Sequence, residues 1–206
     1  MLDTKGSWGK PLDGKLKDIL DFLAARYKIE IAVDSQLFTK NEVSALEQTK
    51  VSTLKMDGLF VDTMLREILR QANVVYEIRG QTVVVVPTGR DGKLRTFPAL
   101  TEKQLQAQRE LRLRVAKLEV PLERMFEGDL KDILEFISDR FEVPILVDAP
   151  SFKEAAKGDV RTARIKLGLG KQPVPKVLDA LMQQIEGRYQ IQSDHIRIVP
   201  LDKSKS

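Results

Sequence analysis

Residues 16–34 read LKDILDFLAARYKIEIAVD, and residues 130–148 read LKDILEFISDRFEVPILVD. At this offset of 114, ten of the nineteen positions are identical. Most of the rest are conservative, as in Tyr27 with Phe141 and Ile29 with Val143. The match resumes at residues 61–87, VDTMLREILRQANVVYEIRGQTVVVVP, against residues 174–200, VPKVLDALMQQIEGRYQIQSDHIRIVP, now offset by 113. Two collinear blocks at nearly one offset read as a tandem duplication, so the pattern of one copy informs the other.

Each copy begins with a helix, because Leu16, Ile19, Leu20 and Leu23, and their partners Leu130, Ile133, Leu134 and Ile137, recur at i, i+3, i+4, i+7. A short strand follows, Ile29 to Val33 and Val143 to Val147, then a polar, variable segment. A second strand is expected near Val51 to Met56 and Ala163 to Leu169. A second helix runs from Val61 to Gln71 and from Val174 to Ile185, with Pro173 and Pro175 suited to its first turn. A hairpin ends each copy: Val74 to Ile78 with Thr82 to Val86, and Arg188 to Gln192 with Ile196 to Val199. The fold class is therefore α+β: two tandem small domains, each with two helices packed on short mixed sheets. The boundaries read as 1–90 for the first domain, 91–110 for a basic linker or helix, and 111–206 for the second. Leu111, Leu113 and Val115 alternate with Arg112 and Arg114, which suggests a lead-in strand, with a continuing helix as the alternative. GSWGKPLDG offers no such alternation, so the first copy is expected to lack that strand.

The chain has 206 residues, 42% apolar and 31% charged, a globular balance. It has no cysteine, which excludes disulfides and thiolate chemistry. No apolar run approaches the roughly 18 residues that span a bilayer. MLDTKGSWGK carries no signal-peptide core, so the protein is either cytoplasmic or preceded by a further segment. The net charge of +4 is concentrated. Residues 88–117 carry +5, from eight basic and three acidic residues, and the rest of the chain carries −1.

The run Leu-Lys-Asp-Ile-Leu, a strand ending in Val-Asp, and a Tyr-containing hairpin ending in Val-Pro resemble the secretin and TonB short N-terminal domain, the N0-type domain of secretins. The resemblance covers both copies. It implies a small α+β unit in the periplasm or cell envelope that docks protein partners. Similar tandem units occur in large exported proteins of planctomycete-type bacteria. No secretin pore segment is present here, so pore formation is not implied.

Polar candidates are weighed against structural roles. Asp18 and Asp132 read as solvated carboxylates beside an apolar stripe. Asp34 and Asp148 read as Asx-turn or cap residues. His195, the sole histidine, reads as a surface residue, with adjacent Asp194 pointing to the opposite face. Tyr76 and Tyr189 read as rings packing at a sheet edge. No nucleophile–base or metal-ligand constellation is visible, so no enzyme activity, cofactor or metal is expected.

The expected function is a non-enzymatic protein–protein interaction module within a larger exported or envelope-associated assembly, with homo-oligomerisation open. The docking mechanism expected first is strand addition to a sheet edge on the last hairpins, through Thr82, Val84, Val86, Ile196 and Ile198. The alternative is nucleic-acid or anionic-surface binding through Arg109, Arg112 and Arg114 of the basic segment. Nucleic acid is disfavoured because Phe97 is that segment's only aromatic residue.

Overall fold

The computed structural model describes residues 2–6, 13–52, 56–90, 93–122, 125–155, 158–168 and 170–201. Residues 7–12, 53–55, 91–92 and Leu169, which enter the strand and linker expectations above, lie outside the described residues. The chain is α+β and divides into two compact units, Met1–Thr101 and Glu102–Ser206.

In the first unit, the leucine stripe of α1 (Leu16–Tyr27) is buried and its charged side is exposed, as the periodicity requires. β1 (Asp13–Lys15) precedes it and pairs antiparallel with β3 (Lys50–Ser52). α1 stops at Lys28, in a left-handed conformation at φ 53°, whose N–H donates to the Ala24 carbonyl. β2 (Glu30–Val33) follows, then α2 (Lys40–Gln48), in the segment read as polar and variable; each copy thus carries a short helix beyond the two expected, here and at residues 149–154. Thr39 and Glu42 close a capping box at the start of α2, a Thr-x-x-Glu signal present in the sequence. α3 (Val61–Gln71) leads into the hairpin of β4 (Val74–Arg79) and β5 (Thr82–Pro87). A short ribbon of β6 (Gly89–Arg90) and β7 (Lys93–Leu94) follows, before the unit's last residues.

β5 is the middle strand of the main sheet, parallel to β2 on one side and antiparallel to β4 on the other. That position buries Val83, Val84, Val85 and Val86 together. Val84 and Val86 join Val75 on one face, covered by Leu37 and Phe97. A buried branched side chain contributes about 1.5–3 kcal/mol, so this continuous valine run marks the centre of the sheet. Where the sequence shows no lead-in alternation, the backbone still pairs. Lys5 bridges Phe60, the Val61 N–H donates to the Thr4 carbonyl, and the Gly6 N–H donates to the Leu59 carbonyl.

The second unit opens with α4 (Glu102–Lys117), which takes in Leu111, Leu113 and Val115. The continuing helix, not a strand, is what forms. Only Val115 of the three is buried, and Leu113 is exposed. β8 (Glu119–Leu122) and β9 (Phe126–Asp129) follow, pairing with β12 (Gly170–Pro173) and β11 (Arg164–Leu167) respectively. Between them run α5 (Leu130–Phe141), β10 (Ile145–Val147), α6 (Ala149–Glu154) and a 3₁₀ turn at Val160–Thr162. α7 (Val174–Ile185) then leads to β13 (Gly187–Ile191) and β14 (Ile196–Pro200). β14 lies between β10 and β13, as β5 lies between β2 and β4. The core joins α5 through Leu130, Ile133 and Ile137 to α7 through Val177, Leu178 and Leu181, with Ile196 and Ile198 beneath.

Candidate interaction surfaces

The expected strand-addition edges do not sit where the hairpins suggested. β5 and β14 are central strands, so both of their backbone edges are already paired. Thr82, Val84, Val86, Ile196 and Ile198 are thus inside sheets, and the last four are buried. A hairpin's final strand is an edge only if nothing else joins it. Here β2 and β10 return in parallel to occupy that side. Among the described residues, the outer strands of the two three-stranded sheets are β2 and β4 in one unit and β10 and β13 in the other. At one end of β13, the Gln108 side chain donates to the Ile191 carbonyl at 2.7 Å.

The basic segment is likewise not one connector. Residues 88–101 belong to the first unit and 102–117 to the second. Arg109, Arg112 and Arg114 lie exposed on α4. Arg112 lines a shallow hollow with Gln108, Tyr189 and Gln190. Arg114 donates to the Phe141 carbonyl, at the end of α5 where a helix favours a cation.

Asp18 and Asp132 are exposed, as expected. Asp34 and Asp148 do act as turn and cap residues, accepting from the backbone of Gln36 at 2.9 Å and Ser151 at 3.3 Å. Each also receives an arginine that the sequence did not reveal. Arg79 donates to Asp34 at 2.7 Å, and Arg197 donates to Asp148. The arginines are not equivalent in the repeat, since Gln192 stands at the position of Arg79 and Val84 at that of Arg197. Burial would raise the Asp34 carboxyl. The Arg79 guanidinium and the N–H groups of Gln36 and Leu37 outweigh it and hold the group below its ordinary value.

His195 is buried, 4% exposed, and not on the surface as expected. It lies in a bend closed by the Gln192 N–H donating to the His195 carbonyl, so strand alternation does not apply. Its Nδ1 lies 2.9 Å from the Asp194 carboxylate, which also accepts from Ser193 Oγ. Serine and histidine share one carboxylate instead of bonding each other, which is not a nucleophile–base arrangement. Among the described residues, no group of three or more His, Asp or Glu is placed to hold a metal ion.

Two surface features were not anticipated. The first is the outward face of the first helix. Lys17, Asp18, Asp21, Phe22 and Arg26 are exposed on α1, and Lys131, Asp132, Glu135, Phe136 and Arg140 are exposed at the same places on α5. Phe22 is 38% exposed and Phe136 43%. Lys17 pairs with Asp21 at 3.5 Å and Lys131 with Glu135 at 3.6 Å. The second is a cluster over α3. Arg66 Nε binds Asp62 Oδ1 at 2.8 Å and Oδ2 at 2.9 Å, and the Tyr76 hydroxyl donates to the same carboxylate. The Arg66 and Arg70 guanidinium groups lie 5.2 and 5.1 Å from the Phe97 ring centre. The i, i+4 spacing of Asp62, Arg66 and Arg70 was visible in the sequence. That Phe97 would lie against them was not.

No family model matches the chain, no curated protein matches it, and no solved structure matches it. Among the described residues, no helix is long and apolar enough to cross a membrane.

Proposed function

We propose that this chain is a non-enzymatic protein–protein interaction module. In this reading it is two tandem copies of a small domain similar to the secretin and TonB short N-terminal domain, carried by a larger exported or envelope-associated protein. The observation that supports the reading is the repeated outward face of α1 and α5. Exposed substitutions away from special features usually change stability by no more than about 0.5 kcal/mol. Folding therefore does not require Lys17, Asp18, Phe22 and Arg26 to recur as Lys131, Asp132, Phe136 and Arg140. An exposed phenylalanine ringed by fixed charges suits a protein partner, with the ring as anchor and the charges selecting it.

The test uses the full chain as bait in an envelope extract, with bound proteins identified by mass spectrometry. The variant carrying F22E and F136E together should lose the specific partner while keeping its circular dichroism and unfolding midpoint. If the double variant retains every specific partner, the helix-face reading fails. Binding of an anionic surface by α4 is the competing reading, because Lys103, Arg109, Arg112, Arg114 and Lys117 are exposed there. It predicts an affinity for DNA or RNA that falls steeply with salt.

A further inference from the structure

In the first unit, the chain leaving the hairpin turns back over the junction of α3 and β4. The Arg95 N–H donates to the Thr88 carbonyl at 2.7 Å, and its guanidinium lies 3.6 Å from Glu77. Phe97 then sets its ring 5.7 Å from that of Tyr76, beside Arg66 and Arg70. Arg66 Nη2 donates to the Pro98 carbonyl at 2.7 Å. Under this segment Tyr76 is only 1% exposed.

The repeat carries this place into the second unit at the offset of 113. The registration is tight, since Asn73 and Glu186 both take left-handed backbone there, at φ 54° and 47°. Arg66, Leu69, Arg70, Asn73, Val75 and Tyr76 become Asp179, Met182, Gln183, Glu186, Arg188 and Tyr189. Those six residues line an open cavity of about 780 Å³ between α7 and β13. Tyr189 is half-buried where Tyr76 is covered. The size lies within the range of ligand pockets, roughly 300–1,000 Å³.

We propose that this cavity is a peptide groove that takes an extended segment of a partner protein, carrying an aromatic side chain beside basic residues. The aromatic requirement comes from Phe97, which occupies the matching place in the first unit. The basic requirement comes from the charge change. Where Arg66 and Arg70 meet their own segment, Asp179 and Gln183 stand in the second unit, and Glu186 replaces Asn73. Among the described residues, Arg188 is the one cation of the lining. The aromatic ring stacks on Tyr189, and Asp179 receives the basic flank. The inference carries the interaction reading further, and it names a different surface from the α1 and α5 faces.

The test titrates the full-length chain with a capped peptide of residues 93–100, Lys-Leu-Arg-Thr-Phe-Pro-Ala-Leu, and follows backbone amide shifts by NMR. Saturable shifts at Gly187, Arg188 and Tyr189 are expected. Replacing the peptide's Phe by Ala should weaken binding about tenfold or more. The exposed-site variant Asp179→Lys, which leaves the core intact, should weaken it about threefold to fivefold. The proposal is overturned by the absence of saturable shifts at residues 187–189, by shifts confined to Val75 and Tyr76, or by equal binding of the Phe-less peptide. It is also overturned if binding appears only after residues 202–206 are removed, because the occupant is then the chain's own end. Partner capture lost with F22E and F136E but peptide binding absent would sink the groove alone. The reverse pattern would sink the helix-face reading alone.

Discussion

Asp62 is an acid on a helix whose neighbours Val61, Met64 and Leu65 are fully buried, and it is itself only 3% exposed. Such a group persists because Arg66 grips both its oxygens and Tyr76 donates to it. Removing it would leave the largely buried Arg66 without its anion. Asp62→Ala is therefore expected to cost about 3 kcal/mol, and Tyr76→Phe about 1.5 kcal/mol, both read from urea unfolding midpoints. Burial and the Asp62 carboxylate keep the Tyr76 phenol well above its usual range, so it stays a donor throughout. A second residue-scale expectation concerns acid. The Asp34 carboxyl is held below its ordinary value in the fold, so its contribution is complete above about pH 4. It is lost as the pH falls through that lowered value. Stability measured from pH 6 to pH 2 should fall less steeply in Arg79→Ala. An unchanged acid limb would refute the assignment.

At the scale of the element, α1 separates packing from surface in adjacent residues. Leu23 is fully buried and Phe22 is exposed. Leu23→Ala is expected to cost about 2–5 kcal/mol, while Phe22→Glu should change stability by no more than about 0.5 kcal/mol. Chemical denaturation of the two variants checks that contrast, and a large loss in Phe22→Glu would mean that the face is structural. The ends of the same helices offer an opposite change. Lys28 and Glu142 hold left-handed backbone at φ 53° and 51°, where a side chain is strained and glycine is not. Lys28→Gly and Glu142→Gly should each stabilise by about 0.5–1 kcal/mol.

For the whole molecule, the described residues of the core built on Leu178 belong to the second unit. Leu65, its counterpart in the repeat, is fully buried in the first unit. Truncating both to alanine should give losses that add within about 0.5 kcal/mol, as sites without shared partners do. A coupling well above that in the four-variant cycle would show that the two cores are not energetically separate.

The sequence by itself determined the first and second helix of each copy, the hairpins and the α+β class, because buried stripes at period 3.6 and branched runs bounded by turns admit few other structures; α2, α6 and the full length of α4 were not read from it. It also held the equivalences of the repeat, in which Phe22 corresponds to Phe136 and Tyr76 to Tyr189. It did not show which strand lies in the middle of each sheet. That depends on β2 and β10 returning in parallel beside β5 and β14, a long-range pairing with no local signature. It did not bury His195, since a lone bend between two strands carries no periodicity to read. Nor did it bring Phe97 onto Arg66 and Arg70, contacts spanning about thirty residues that exist only because the chain folds back. Local pattern decided the elements, and the meeting of distant segments decided which surfaces were left to bind.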